Sequence, residues 1–143
     1  AKLELGPGNV FRGCRAWTNC DDGWDLYEAA QVVLIENCWA FSNGKLASGG
    51  GTSNGDGNGF KLGGNGAAAA HQVKSCYAFE NTACGFTRNN NAVEPSLSQC
   101  GGRSDGKGEF CSLSYSANVS FSMTSNDAKA AQRGSDGSLP AIH

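Results

Sequence analysis

The sequence predicts an all-β protein wound as a right-handed parallel β-helix, a solenoid with a period of about 24 residues per rung. Three observations predict it. The 143 residues hold 21 glycines, only 3 prolines and 17% charged residues, a mixture that suits short strands and turns and argues against a helical bundle. One phrase, apolar-x-x-Cys-x-Ala-aromatic-x-Asn, recurs without gaps from Phe11 to Asn19, from Ile35 to Asn43 and from Val73 to Asn81. A weaker copy opens at Leu97 and reaches Cys100, and the steps Cys14 to Cys38 and Cys76 to Cys100 are both 24 residues.

Each unit carries a second shared element: Gly23-Trp24-Asp25-Leu26, Gly59-Phe60-Lys61-Leu62 and Gly85-Phe86-Thr87-Arg88. From the Asn to that Gly is four residues in the first and third units and sixteen in the second. The excess of twelve is a Gly/Ser/Asn-rich loop insertion within residues 44–57. Leucine-rich repeats have a similar period, but their leucine pattern is absent, and no unit has the contiguous helix formers of a helical repeat. What remains is a coil of about three short strands per rung, each rung about 4.8 Å above the last. Residues 1–143 are then part of a single β-helix domain, truncated at both ends, with residues 125–143 as an irregular tail.

The repeat assigns columns. Cys14, Cys38, Cys76 and Cys100 stack as small apolar side chains, the usual packing of free cysteine. Ala16, Ala40 and Ala78 follow two positions on, pointing the same way. One aromatic column runs Trp17, Phe41, Phe79 and a second Trp24, Phe60, Phe86. Asn19, Asn43 and Asn81 form a polar column at a turn, where stacked amides bond along the coil. Seven cysteines is an odd count without paired zinc-finger spacing, so a metal finger is excluded, while disulfides between some pairs stay open. A net charge of -2 gives no footprint for nucleic acid, and no apolar run of membrane-spanning length exists.

The chemistry gathers at Asn19-Cys20-Asp21-Asp22-Gly23-Trp24-Asp25, with three carboxylates in five residues. Aligning the second elements puts Asp25 in one column with Lys61, a rung apart. Three carboxylates on one short loop repel unless a cation neutralises them, and all-oxygen ligation favours calcium; the alternative is a solvated acidic turn. The loop is no EF-hand, lacking the glutamate at position twelve and the flanking helices. Lys61 is either a surface lysine or, beside a divalent cation that lowers its proton affinity, a base. Asp56 and Asn58 are candidates for orienting the Lys61 loop, Arg88 for binding an acidic substrate, and His71 reads as structural. Asn118-Val119-Ser120 is the N-glycosylation sequon.

The runs Arg15–Leu26, Ile35–Phe41 and Gly55–Gly64 resemble polysaccharide lyase family 9 pectate lyases over roughly residues 1 to 124. The resemblance implies a right-handed parallel β-helix that binds calcium and cleaves polygalacturonate by β-elimination. It assigns Asp21, Asp22 and Asp25 to the family's N-x-D-D-G-x-D calcium motif and Lys61, in G-F-K-L-G-G, to its catalytic base. Asp56, Asn58 and Arg88 stand as lesser substrate-binding candidates. A further aspartate ligand of the family lies in a D-G-F-A-x-K-type motif, of which Ala1-Lys2-Leu3 looks like the tail. The expectation is a fragment of a larger, secreted enzyme, monomeric when full length, with weakened calcium affinity. The rival readings are an inactive fragment, a non-catalytic pectin-binding module and a calcium-stabilised structural solenoid.

Overall fold

The structure, a computed structural model, describes residues 5–48, 50–51, 54–116 and 121–142. The Ala1-Lys2-Leu3 start and the Asn118 sequon lie outside them.

Among the described residues twelve short strands form three parallel sheets of four, each strand pairing with its equivalent one rung away. The first sheet holds β1 (Asn9–Arg12), β4 (Val33–Glu36), β7 (Gln72–Lys74) and β10 (Ser96–Ser98). The second holds β2 (Arg15–Trp17), β5 (Trp39–Phe41), β8 (Tyr77–Phe79) and β11 (Gly101–Arg103). The third holds β3 (Trp24–Asp25), β6 (Phe60–Lys61), β9 (Cys84–Thr87) and β12 (Gly108–Cys111). The first-to-second corner repeats a left-handed residue, Gly13, Asn37, Ser75 and Gln99, and the corner after the second sheet repeats another, Thr18, Ser42, Glu80 and Ser104. Left-handed backbone costs a non-glycine residue roughly 1–2 kcal/mol, so every rung bends at a position its neighbours hold in place.

The predicted columns are the observed registers: Ala16 pairs with Ala40 and Ala40 with Ala78, Trp24 with Phe60 and Phe60 with Phe86. Cys38, Cys76 and Cys100 are fully buried free thiols, each donating to a strand carbonyl, while Cys14 is half-buried. The Trp24, Phe60 and Phe86 column lies inside the coil and continues to Phe110 at 5.2 Å. Trp17, Phe41 and Phe79 stack on the outside of the second sheet at 5.6 and 5.1 Å, and Phe121 caps Phe79 edge-on.

The tail is not wholly irregular. Helix α1 (Ser125–Ala130) opens with a capping box in which the Thr124 hydroxyl accepts from Asp127 N–H and the Asp127 carboxylate accepts from Thr124 N–H. Its Ala128 joins Trp39, Phe41, Phe79 and Phe121 in a second apolar cluster, and Ser42 hydrogen-bonds Ser125 at 2.6 Å. Arg15 donates to the carbonyls of Ala128 and Ala131, and Arg133 to that of Gly13. The tail therefore runs back across the rungs and covers Phe41 and Phe79 of the outer aromatic column, while Trp17 stays exposed. One disulfide, Cys84–Cys111, ties the third rung to the fourth, between two cysteines outside the buried thiol column.

Candidate active site

The site forms where the corner after the second sheet delivers the acidic turn onto β3. Trp24 pairs with Phe60 and Asp25 with Lys61, so ordinary strand pairing places a carboxylate and an amine in one column. Lys61 is only 8% exposed. Its Nζ donates to Asp56 Oδ2 at 3.0 Å and lies 3.3 Å from Asp22 Oδ2 and 3.8 Å from Asp25 Oδ1. The same amine lies over the Tyr27 ring, 5.4 Å from its centroid.

The acidic turn is braced by the end of the insertion. Asp21 Oδ1 accepts from Asp56 N–H at 2.7 Å. Asp22 Oδ1 accepts from both the backbone and side-chain N–H of Asn58, at 2.7 and 2.9 Å, and Asn58 Oδ1 in turn accepts from Cys84 N–H. Asp25 Oδ1 accepts from Tyr27 N–H. The insertion re-enters the coil through Gly57, whose positive φ of 80° and position against Thr82 leave no room for a Cβ. The structure brings Asp56 and Asn58 to this turn, where Asn58 holds Asp22 and Asp56 accepts from Lys61.

One oxygen from each of Asp21, Asp22 and Asp25 lies within 4.8 Å of the others. Asp22 Oδ2 is buried and receives no hydrogen bond, although the Lys61 ammonium stands at ion-pair distance. Burial pushes the Asp22 carboxyl up to about 6, against the pull of the Asn58 donors and of Lys61. Oxygen-only donors, converging carboxylates and a buried oxygen without a donor fit a hard divalent cation such as calcium. For Lys61, burial works to lower the pKa, but the hydrogen bond to Asp56 and the charges of Asp22, Asp25 and Asp56 outweigh it and the net shift is upward. With the chain's own charges alone, Lys61 keeps its proton more firmly than a free lysine. That is the reverse of the lowered affinity the sequence suggests, because the lowering requires a cation to offset these carboxylates.

Arg88 is occupied by its own turn, with Nε donating to Asn91 O at 2.8 Å and an Nη to Ala92 O at 3.2 Å. His71 is fully buried, its Nδ1 accepting from Val33 N–H, so it bridges two rungs, and burial lowers its pKa. Sequence reading passed over Tyr27, which has no counterpart in the repeat columns. It also passed over Asp105, which extends the asparagine column and was legible as the residue 24 beyond Asn81.

These contacts belong to a chain with evident relatives. The family model described as "Pel9A-like, right handed beta helix region" matches residues 1–126. The chain belongs to this family. The coil is accordingly a right-handed parallel β-helix. Pectate lyase L of Dickeya dadantii (strain 3937) is 53% identical over 91 residues, covering 64% of this chain and 21% of that protein. Pectate lyase L of Paenibacillus polymyxa (strain SC2) is 40% identical over 136 residues, covering 89% of this chain and 30% of that protein. The crystal structure of pectate lyase Pel9A superposes with a TM-score of 0.68 at 33% identity, covering 95% of this chain and 43% of that one. The chain thus spans less than half the length of each protein named here.

Proposed function

We propose that the protein is a calcium-dependent pectate lyase that cleaves polygalacturonate by β-elimination, with Lys61 as the base. The observation that carries this reading is the Asp25–Lys61 register, which sets a buried amine against a carboxylate cluster in a chain whose relatives are named pectate lyases.

Asp21, Asp22 and Asp25 would hold the calcium ion, with Asn58 fixing the Asp22 carboxylate in place. When bound, calcium supplies positive charge that attracts the uronate carboxylate and acidifies the proton on the adjacent carbon. Neutral Lys61 takes that proton at Nζ. The electron pair left on carbon forms a double bond to its neighbour as the glycosidic C–O bond breaks, and the leaving oxygen picks up a proton. The products are a shortened chain and an unsaturated sugar end. Asp56 holds the lysine side chain toward the acidic turn. Arg88, with Nε and one Nη held by carbonyls, offers its remaining N–H groups to a neighbouring uronate.

Secretion is part of the same reading: the substrate is an extracellular polymer, and the Cys84–Cys111 disulfide suits an oxidising compartment. The test is to incubate the protein with polygalacturonate, with calcium and with chelator, and to follow ultraviolet absorbance of the unsaturated product. Calcium-dependent growth of absorbance is expected. Binding of the polymer without such growth would favour a pectin-binding module instead.

A further inference from the structure

We propose that Tyr27 is the platform on which a galacturonate ring stacks while it presents its proton to Lys61, an inference that rests on the pectate lyase reading above. Tyr27 lies two residues past Asp25 and is 41% exposed, so part of the residue stays open to a ligand at the acidic turn. Lys61 Nζ lies over the ring, 5.4 Å from its centroid, so a sugar seated against the exposed part of the ring lies next to the proposed base. One face of a pyranose ring offers a patch of weakly positive C–H groups, which suits the negative face of an aromatic ring.

The ring is held in position from three sides. The Tyr27 N–H donates to Asp25 Oδ1, which ties the residue to the acidic turn. The following Glu28 takes a left-handed backbone, φ 58°, and its carboxylate accepts from the Asn65 side chain at 2.8 Å, which pins this turn to the next rung. Gly64 supplies the floor: a Cβ there would fall 2.1 Å from Tyr27 Cδ2 and 2.7 Å from Cε2. The ring thus rests on a glycine three residues past the strand that carries Lys61, and platform and amine are set by the same pair of rungs.

The experiment compares wild type, Tyr27→Ala, Tyr27→Phe and Gly64→Ala. Its readouts are KM and kcat on polygalacturonate with calcium, and calorimetric binding of digalacturonate. Tyr27→Ala is expected to raise KM about ten-fold and to weaken digalacturonate by a similar factor, with a much smaller change in kcat. Tyr27→Phe keeps the face and recovers most of the loss. Gly64→Ala displaces the ring and reproduces the alanine phenotype, and the double variant is no worse than Tyr27→Ala alone. Unchanged KM and binding in Tyr27→Ala overturn the proposal, as does a phenylalanine variant as impaired as the alanine one. A fall in kcat alone with a displaced pH profile also overturns it, since Tyr27 would then act through Lys61. An inactive wild type sinks the lyase reading, whereas an active wild type indifferent to Tyr27→Ala sinks only this inference.

Discussion

Two polar columns climb this coil and behave in opposite ways. In the first, Asn19, Asn43, Asn81 and Asp105 repeat nearly the same side chain, and each amide donates to the Oδ1 of the next at 2.9, 2.9 and 2.8 Å. Asn43 and Asn81 are almost wholly buried, and each Oδ1 also accepts the backbone N–H of the rung before. In the second column, Asp25, Lys61, Thr87 and Cys111 change chemistry at every rung. The ladder of like residues satisfies itself, and its repetition is what a solenoid needs. The column of unlike residues leaves a buried lysine held by carboxylates and a buried Asp22 oxygen without a donor. Repetition here marks structure, and the break in repetition marks chemistry.

The largest effect is expected from the unlike column. Lys61→Arg keeps a positive charge among the carboxylates but supplies a group that does not deprotonate, so the lyase rate should fall about a thousand-fold with the circular dichroism unchanged. An arginine variant of near-wild-type rate would reduce Lys61 to an electrostatic role. Next comes the far end of the same column, where Cys84→Ser with Cys111→Ser should lower stability by about 2–4 kcal/mol in denaturant titration.

In the ladder the expected damage is to stability. Asn81→Ala removes the acceptor shared by the Asn43 side-chain and backbone N–H groups and the amide that donates to the Ala40 carbonyl and Asp105 Oδ1, and should cost about 2 kcal/mol while the folded fraction keeps its KM and kcat. A large loss of kcat at full folding would blur the division between the two columns. The ladder also sets a pH dependence. Burial pushes the Asp105 carboxyl up to about 7, against the Asn81 donors, from about 4 in the unfolded chain. Between these values the unfolded chain has lost the proton and the folded one keeps it, so this residue makes stability fall as pH rises from about 4 to about 7. Asp105→Asn should remove that slope from denaturant midpoints measured across the window, and an unchanged slope would place the titration elsewhere.

How much of this was legible in the sequence follows the same division. The 24-residue step gave the Ala, Cys, Asn and two aromatic columns in their observed registers, and it set Asp25 against Lys61, because strand pairing repeats whatever the sequence repeats. The same step applied once more would have found Phe110 and Asp105, which extend their columns from the degenerate fourth rung. What covers the outer column was less legible: strand alternation turns Trp17, Phe41 and Phe79 outward, one residue past the inward alanines, but the tail that folds back over Phe41 and Phe79 lies outside the repeat. Helix α1 was announced by Thr124-x-x-Asp127, a capping signal in a stretch read as irregular. Tyr27 and the Asp56–Lys61 pair were not legible, since both arise from segments outside the repeat that return to it in space.

The central claim is that the broken column and its acidic turn bind a cation that the repeated ladder does not need. Calorimetric titration of calcium into wild type and Asp22→Asn, without substrate, tests it most directly. The account predicts a single-site isotherm for wild type and at least a roughly ten-fold weaker one for the variant, whose carboxamide keeps the Asn58 contact at Oδ1 but lacks the charge. Equal calcium affinity in the two proteins, or no binding to wild type, would contradict it.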